Sequence, residues 1–432
     1  MNTLIIIALL LSFFVLVFFA FRGANLVLAF FLISIVWAVL GGATLESFQK
    51  DMINAAVISA GPTIFAVMFG SWFGRVLIET GIINAIIKKT VELGGDHCLL
   101  TTSLLSIVTA LIFTGAYGVG IVMAIGMITL PIMFSLGVPK PVAVTAFCFA
   151  VTAGNYVNPA VFTMMLAYYP DLEYNGPFMT FAPIGMCVHL AVCLIMLLFR
   201  LRKGKLQHQA AWAVEAPVKE RPPVEGGKKR LFFLAYFAPI FPVLIVVTLN
   251  WEIIPAMVIS IIITLILAGE MKNPKKCLEM ALRTFRDGTA DVALLILLFF
   301  SIWVYARAAA NCAPLLQPLF EPLIPKNPWV LAIAFGILTP LGLFRGPLTY
   351  SGVGAVTQTI LSTFGYFQPI FRMLMIFMPW MCMTYTTCPT MSNVAWTLTY
   401  AKTDPKSHIF STLPWAWAAC IINLLIAAFM FG

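Results

Sequence analysis

The chain has 432 residues, of which 61% are hydrophobic and only 10% charged, and its formal net charge is +9. A soluble globular domain carries about 25% charged residues, so this composition excludes an ordinary soluble protein and indicates a chain that crosses the membrane many times. The longest hydrophilic stretch, residues 201–230, is too short to house a soluble catalytic domain.

The first apolar run, residues 4–21, has no basic segment before it and no small-residue cleavage site after it. We therefore expect a retained transmembrane helix and not a signal peptide. Further runs that approach or reach spanning length lie at residues 26–43, 55–78, 178–199, 231–249, 254–268, 290–306 and 413–431.

Two regions in each half of the chain are apolar but repeatedly interrupted by glycine and proline. In the first half we predict a re-entrant hairpin over 97–137 and a broken helix over 141–169. In the second half the same pattern predicts a hairpin over 328–365 and a broken helix over 369–400. Such interruptions are tolerated at bilayer depth only where the backbone is buried in protein or lines a cavity.

The two halves share landmarks at nearly constant spacing, which indicates an internal duplication. The paired landmarks are Arg75 and Arg307 at a separation of 232 residues, Gly115 and Gly346 at 231, and Pro159 and Pro389 at 230. We expect residues 1–200 and 231–432 to form two repeats.

If each half contains one re-entrant hairpin and one broken helix, its chain crosses the membrane about five times. Because five is an odd number, the second repeat is inserted upside down relative to the first. The connecting linker, 201–230, is rich in Lys and Arg. By the positive-inside rule we place this linker in the cytoplasm and both termini in the periplasm, with Lys50 and Lys326 as the main basic exceptions.

The stretch "GLFRGPLTYSGVGAV" places Arg345 at the predicted tip of the second hairpin. Backbone N–H groups at helix ends favour an anion, and a guanidinium adds two parallel donors that match a carboxylate. Arg345 is therefore the leading candidate for the substrate's counter-charge; the alternatives are a protein acid as its partner, or snorkelling. Snorkelling is the expected role of Arg75 and Arg307, which are predicted at helix ends. The full set of candidate substrate ligands is Thr114, Gly115, Tyr117, Asn155, Asn158, Arg345, Gly346, Thr349, Ser351, Thr387 and Asn393.

Amide, hydroxyl and carbonyl oxygens at the helix breaks also suit a sodium ion, and the candidate site lies near Gly115, Asn158, Thr386 and Thr390. The alternative is that these side chains only satisfy the interrupted backbone. For proton coupling, His189 lies well inside a spanning run and is either a relay or a packing residue, and Asp291 is expected near a helix start.

Motifs for other activities are missing from the sequence. It contains no GxxxxGK[ST] phosphate loop, no histidine spacing for a metal, and no catalytic constellation. The nine cysteines are scattered through apolar segments and are expected to be small core residues. We predict that the protein is not an enzyme, needs no cofactor beyond a coupling ion, Na⁺ or H⁺, and binds no nucleic acid.

This architecture, with the tips "TGAYG" and "RGPLTYS" followed by "GNYVNPA" and "TTCPT", resembles the ion transporter superfamily, and within it the gluconate, citrate and lactate permeases. The tips match the serine, asparagine and threonine signature of the dicarboxylate carriers only loosely. The resemblance implies an inner-membrane secondary transporter of an organic anion, commonly a homodimer in the lipid bilayer, and we predict a Na⁺- or H⁺-coupled symporter of a small organic carboxylate. In that family a transport domain slides against a scaffold, which here would include helices over 26–43 and 254–268.

Other functions on related folds remain open at this point. A cation/proton antiporter would be expected to hold a buried Asp in a broken helix, and neither break contains one. A channel would need no coupled ion, and a membrane-embedded enzyme would need paired acids or a histidine cluster.

Overall fold

The computed structural model describes residues 2–21, 25–202, 233–320, 322, 324–350, 354–363 and 366–432. Across this part of the chain the regular secondary structure is entirely helical. The protein is an all-α polytopic membrane protein, which confirms the fold class predicted from composition. The linker predicted at 201–230 lies outside the described residues except for its first two positions.

The first half contains ten α-helices among the described residues, with π-helical turns at Phe48–Asn54 and Tyr174–Phe178. They are α1 (Asn2–Phe21), α2 (Leu26–Leu40), α3 (Leu45–Ser47), α4 (Ala55–Glu79), α5 (Ile82–Gly94), α6 (Cys98–Phe113), α7 (Val119–Ser135), α8 (Lys140–Asn155), α9 (Pro159–Met165) and α10 (Met179–Arg202).

The second half contains eight α-helices among the described residues. Its α-helices are α11 (Phe241–Leu249), α12 (Ile253–Leu267), α13 (Pro274–Phe320), α14 (Pro328–Leu338), α15 (Gly354–Thr363), α16 (Pro369–Pro379), α17 (Ser392–Ala401) and α18 (Pro405–Phe431). Tighter or wider turns join them: 3₁₀ turns at Phe233–Ile240, Glu270–Lys272 and Thr339–Arg345, and a π-helical turn at Trp380–Tyr385.

Four helical stretches in the described residues are long and apolar enough to cross a bilayer. These stretches are Leu45–Glu79, Tyr174–Leu201, Pro274–Leu316 and Pro405–Phe431. Shorter apolar helices include the two members of the helix pair α6–α7, which falls inside the range predicted for the first hairpin. The pair α14–α15 falls inside the range predicted for the second hairpin. The inversion of the second half stays a prediction.

The first helix interruption follows from its local sequence. Helix α8 ends at Asn155, and α9 begins at Pro159, whose missing N–H costs nothing at the first position of a helix. The side-chain oxygen of Asn158 accepts a hydrogen bond from the N–H of Ala160 at 2.9 Å and so caps α9. The second interruption, between Tyr385 and Ser392, likewise contains a proline, Pro389.

Many of the strongest helix contacts lie within two groups, and α15 on α13 and α9 on α4 are among the contacts that join the groups. In one, α13 lies along α4 and α2, while α12 packs on α4 and α1 on α2; we call this the scaffold group. In the other, α8 packs on α6 and α10, and α18 packs on α10 and α14; we call this the hairpin group. The two helix stretches predicted as scaffold, 26–43 and 254–268, fall in the first group.

Helix α13 is longer than its sequence suggested. The predicted span was 290–306, whereas the helix is continuous from Pro274 to Phe320. Its close packing on α4 includes Gly288, where a side-chain carbon would lie 2.9 Å from the backbone nitrogen of Trp72. Asp291 is therefore well inside a helix and not near its start, which corrects the expectation from the sequence.

Candidate functional site

The tip of the first hairpin is joined to the first helix break by one side chain. The amide nitrogen of Asn158 donates hydrogen bonds to the carbonyls of Phe113 at 2.8 Å and Ala116 at 3.0 Å, both at the tip. Together with its cap of α9, these bonds occupy the amide groups of Asn158. In this structure Asn158 satisfies interrupted backbone, which is one of the two roles that the sequence left open.

The first tip is buried against the rest of the protein. The Thr114 hydroxyl donates to the carbonyl of Leu111 at 2.7 Å and lies 3.4 Å from the carbonyl of Pro239. A side-chain carbon on Gly115 would collide with that same Pro239 carbonyl, so the close approach requires glycine. The backbone N–H of Tyr117 donates to Gly70 of α4 at 3.2 Å. The tip thus meets the scaffold group in the middle of α4.

The second tip meets the second break in a similar way. The hydroxyl of Thr349 lies 2.8 Å from that of Thr384 and also donates to the Gly342 carbonyl. The backbone N–H of Phe344 points to the sulfur of Cys388 at 3.1 Å. The hydroxyl of Thr387 donates to the carbonyl of Cys382 at 3.0 Å, inside the break itself. These hydroxyls are engaged by interrupted backbone and its neighbours.

Arg345 ends the 3₁₀ turn of the second hairpin, and its backbone follows directly after Phe344 beside the break. The side chain of Arg345 lies outside what the structure describes, as does all of Ser351. Gly346 is buried, and its carbonyl accepts hydrogen bonds from the N–H groups of Thr349 and Gly354, both at 3.1 Å. The assignment of Arg345 and Ser351 to substrate binding stays a prediction.

The two breaks touch one another around His189. The hydroxyl of Thr386, in the second break, is 3.0 Å from the hydroxyl of Thr152 on α8 and 3.3 Å from Nε2 of His189. On its other side, Nδ1 of His189 is 3.4 Å from the hydroxyl of Tyr156, in the first break. The ring stacks on Phe149 at 4.6 Å. His189 is fully buried and packs between the breaks, outside the cavity described next.

A cavity of about 270 Å³ lies where the first tip, both breaks and α13 meet. Its walls are largely apolar, with valines of α7, α8 and α13 among them. The polar groups are few, as is usual for a small-molecule site, and come from Tyr117, Asn155, Asp291, Tyr385, Ser392 and Asn393. Three of these residues, Tyr117, Asn155 and Asn393, were candidate ligands from the sequence.

Two amide oxygens in this cavity lack a partner. Within the described part of the chain, Oδ1 of Asn155 and Oδ1 of Asn393 are buried and accept no hydrogen bond. The nitrogen of Asn393 is engaged, since it donates to the Tyr385 carbonyl at 2.9 Å. A buried acceptor without a donor costs about 1–3 kcal/mol. Both oxygens are therefore suited to accept from a bound molecule or to coordinate a cation.

Asp291 was not among the residues proposed from the sequence as ligands, and Arg75 was expected to snorkel. The structure corrects this, because Nε of Arg75 donates to Oδ2 of Asp291 at 2.7 Å and Nη2 donates to Oδ1 at 2.6 Å. Arg307 also has a protein partner, since its Nη2 donates to the hydroxyl of Ser59 at 2.8 Å. A single charge in an apolar run does not reveal a partner 216 residues away.

The four residues proposed for sodium occupy separate surroundings. Gly115 and Asn158 lie at the first tip, Thr386 faces His189, and the hydroxyl of Thr390 is 3.0 Å from the sulfur of Cys388. Over the described residues, no group of three or more His, Cys, Asp or Glu side chains is placed to hold a metal ion. The sodium site stays a prediction.

No protein-family model matches this chain. No curated protein matches it either. Among solved structures, it is similar to the crystal structure of the Alcanivorax borkumensis YdaH transporter, which was described as having an unusual topology. The TM-score is 0.54 at 13% sequence identity, and the match covers 89% of this chain and 86% of that chain. The likeness shows a common fold over nearly the whole length of both proteins.

Proposed function

We propose that this protein is a secondary active transporter of a small organic carboxylate anion, coupled to Na⁺ or H⁺. One observation carries the proposal: a hairpin tip and both helix breaks meet scaffold helix α13 around a cavity with few polar groups, most of them buried. Interrupted helices around a central site are the usual architecture of secondary transporters. The fold shared with the YdaH transporter supports the same class.

Alternating access would come from movement of the hairpin group against the scaffold group, an elevator mechanism. Polar contacts between the two groups at α4 are short and local. They include the Thr63 hydroxyl, which donates to the Thr163 carbonyl at 2.7 Å, and the backbone bond from Tyr117 to Gly70. Small residues of α4 allow close approach there, as at Gly70, where a side-chain carbon would lie 3.2 Å from Cβ of Tyr117. A few local bonds are easier to exchange than a continuous polar interface.

Within this proposal, Tyr117, Asn155 and Asn393 contact the substrate from the cavity, and Arg345 contributes its charge from the second tip. Thr114, Asn158, Thr349 and Thr387 hold the tips and breaks in their non-helical conformation. The proposal includes the bacterial inner membrane as location, a cytoplasmic linker, periplasmic termini and a homodimer.

The test is a binding screen followed by transport. Purified protein is heated with small organic acids, with and without sodium, because a ligand that binds only the folded state raises the apparent stability. Acids that stabilise the protein are then offered to proteoliposomes under a sodium or a proton gradient. We expect uptake of at least one stabilising acid against its own gradient. Equilibration without accumulation, whichever gradient is applied, would instead indicate a channel.

Cation/proton antiport is a second candidate because three groups in the cavity suit a cation. Asp291 supplies a carboxylate, and Asn155 and Asn393 supply amide oxygens without partners. The sequence had counted against antiport because neither break contains an Asp; in the structure an Asp reaches the cavity from α13. Proteoliposomes with an internal pH dye, pulsed with NaCl and no organic acid, separate the two functions. Internal alkalinisation after external NaCl is added would favour antiport, because sodium that enters would drive protons out.

A further inference from the structure

The ion pair between Arg75 and Asp291 lies at the edge of the cavity and points to the chemistry of its ligand. We propose that Arg75 is a carboxylate receptor of this cavity, and that Asp291 holds the place of the substrate's carboxylate in the substrate-free protein. The inference rests on the proposed transport of an organic anion and specifies how the anion is recognised.

The geometry of the pair is that of a guanidinium binding a carboxylate ligand. Two donors on one edge of Arg75 meet the two oxygens of Asp291 at 2.7 and 2.6 Å. This two-donor arrangement is the one by which arginine recognises planar anions. The side chains are 29% and 17% exposed, so the pair is neither an open surface contact nor sealed from exchange.

The surroundings of the pair favour an anion for a second reason. A side-chain carbon on Gly120, in the first turn of α7, would collide with Oδ2 of Asp291 and lie 2.6 Å from Nη2 of Arg75. The carboxylate therefore sits against the N-terminus of a 17-residue helix, where the helix dipole stabilises negative charge. A substrate carboxylate in the same position would gain from both the guanidinium and the helix end.

A hydroxyl without a hydrogen-bond partner, that of Ser71, lies at the same end of α7. The hydroxyl of Ser71 is fully buried and has no hydrogen-bond partner in the described part of the chain. It is close to Gly118, the residue that precedes α7, where a side-chain carbon would lie 3.0 Å from it. Most buried hydroxyls in proteins are paired, so a free one at a helix N-terminus is suited to donate to a ligand oxygen.

Asp291 lines the cavity, whereas Arg75 is not a lining residue. A carboxylate that enters the cavity meets the Asp291 carboxylate first, and two such charges at one guanidinium repel each other. Loading therefore requires Asp291 to release the guanidinium. Arg75 then transfers its two hydrogen bonds to the substrate carboxylate, and Asp291 accepts them again when the substrate leaves.

The other acids near the pair are placed differently. Glu79, one turn along α4 from Arg75, pairs with Arg283, and Asp287 lies one turn before Asp291 on α13. Asp291 is therefore the acid whose place at Arg75 a substrate carboxylate would take.

The experiment removes the protein's own carboxylate and supplies one from solution. In Asp291→Ala we expect acetate to restore thermal stability in a saturable manner, beyond chloride at the same ionic strength and pH, by binding Arg75. The native protein and the double variant Arg75→Ala/Asp291→Ala should show no such rise. Glu79→Ala is the matched control, because it also removes the acidic partner of an arginine, Arg283. That ion pair is more exposed and does not line the cavity. If acetate does not raise the thermal stability of Asp291→Ala more than chloride does, the assignment of Arg75 is overturned.

A second variant keeps the test decisive if Asp291→Ala does not fold. Asp291→Asn keeps the shape of the side chain without its charge. Its reaction with phenylglyoxal, followed at Arg75 by mass spectrometry, should be slowed by acetate and not by chloride. Reaction at Arg75 that acetate leaves unchanged would sink the inference.

The outcome is separable from that of the proposed function. An acetate effect without uptake of any organic acid keeps the carboxylate site and overturns transport. Uptake without an acetate effect keeps transport and overturns the role of Arg75.

Discussion

The phenolic oxygens of Tyr117 and Tyr385 lie 2.6 Å apart, although the residues are separated by 268 positions in the chain. The first belongs to the tip of the first hairpin, and the second is the last residue of the π-helical turn before the second break. Both line the cavity. The contact therefore joins the two halves of the protein at the place where the proposed substrate would lie.

This contact predicts energetic coupling between the two tyrosines. Tyr117→Phe and Tyr385→Phe should each lower stability by about 1 kcal/mol, and the double variant should lose less than the sum, because the shared hydrogen bond is removed once. Thermal or denaturant unfolding of the four proteins measures the coupling. Strict additivity would show that the hydroxyls do not interact in solution.

Two asparagines of the first break separate a structural role from a functional one. Asn158→Ala removes the cap of α9 and two hydrogen bonds to the hairpin tip, so it should lower stability by roughly 2–3 kcal/mol. Asn155→Ala removes a buried oxygen that has no partner in the described structure, so stability should not fall while transport does.

The control for Asn155 is Asn423. It also carries a buried, unpartnered Oδ1, but it lies beside Tyr156 and Gly185 and not in the cavity. Asn423→Ala should leave substrate affinity intact. Equal losses of affinity in the two variants would remove Asn155 from the proposed site.

The sequence predicted the places where helices stop more reliably than the contacts between them. An interruption at Asn158 and Pro159 follows from local chemistry, since an Asn cap and a proline at the first helical position both favour a new start. The continuity of α13 was missed because its first third is more polar than a spanning run and therefore gave no hydropathy signal. A helix can extend beyond the bilayer without any change in its backbone.

The cavity lay beyond what the sequence could predict. Its charged edge depends on Arg75 and Asp291, which belong to separate helices and meet only when α4 and α13 pack. Each residue taken alone fits an arginine that snorkels or an acid near a helix end. The sequence also does not show that the side-chain oxygens of Asn155 and Asn393 lack partners. Asn158, three residues after Asn155, has the same side chain, and its oxygen and nitrogen both form hydrogen bonds.

The predicted topology can be tested at the linker. A cysteine introduced at Gly226 should be protected from an impermeant thiol reagent in intact cells and modified after permeabilisation. The unmodified protein provides the background, since it has nine cysteines of its own. Rapid modification in intact cells would contradict a cytoplasmic linker and with it the inverted repeat.

Coupling can be tested at His189. The ring is fully buried, stacks on Phe149 and lies outside the cavity lining, so we expect a packing role. His189→Gln should cost about 1–2 kcal/mol of stability and keep the response of uptake to pH, because its contacts with Thr386 and Tyr156 are hydrogen bonds that an amide can partly replace. Loss of the pH response at normal expression would instead make His189 a proton relay.

The last prediction concerns Arg345, whose backbone lies beside the second break at the end of a 3₁₀ turn. If its guanidinium binds the substrate's carboxylate, Arg345→Lys keeps the charge but loses the planar pair of donors, and binding should weaken by roughly 1–3 kcal/mol. Arg345→Ala should abolish transport while the protein still folds and inserts.

The comparison is Arg307, which donates to Ser59 and should show a stability defect with little change in substrate affinity when replaced by alanine. Isothermal titration with an acid identified in the screen measures both affinities. Unchanged affinity in Arg345→Ala would make Arg345 a structural residue. Arg75 would then be the arginine that binds the substrate carboxylate, because it already binds the carboxylate of Asp291 through two N–H donors.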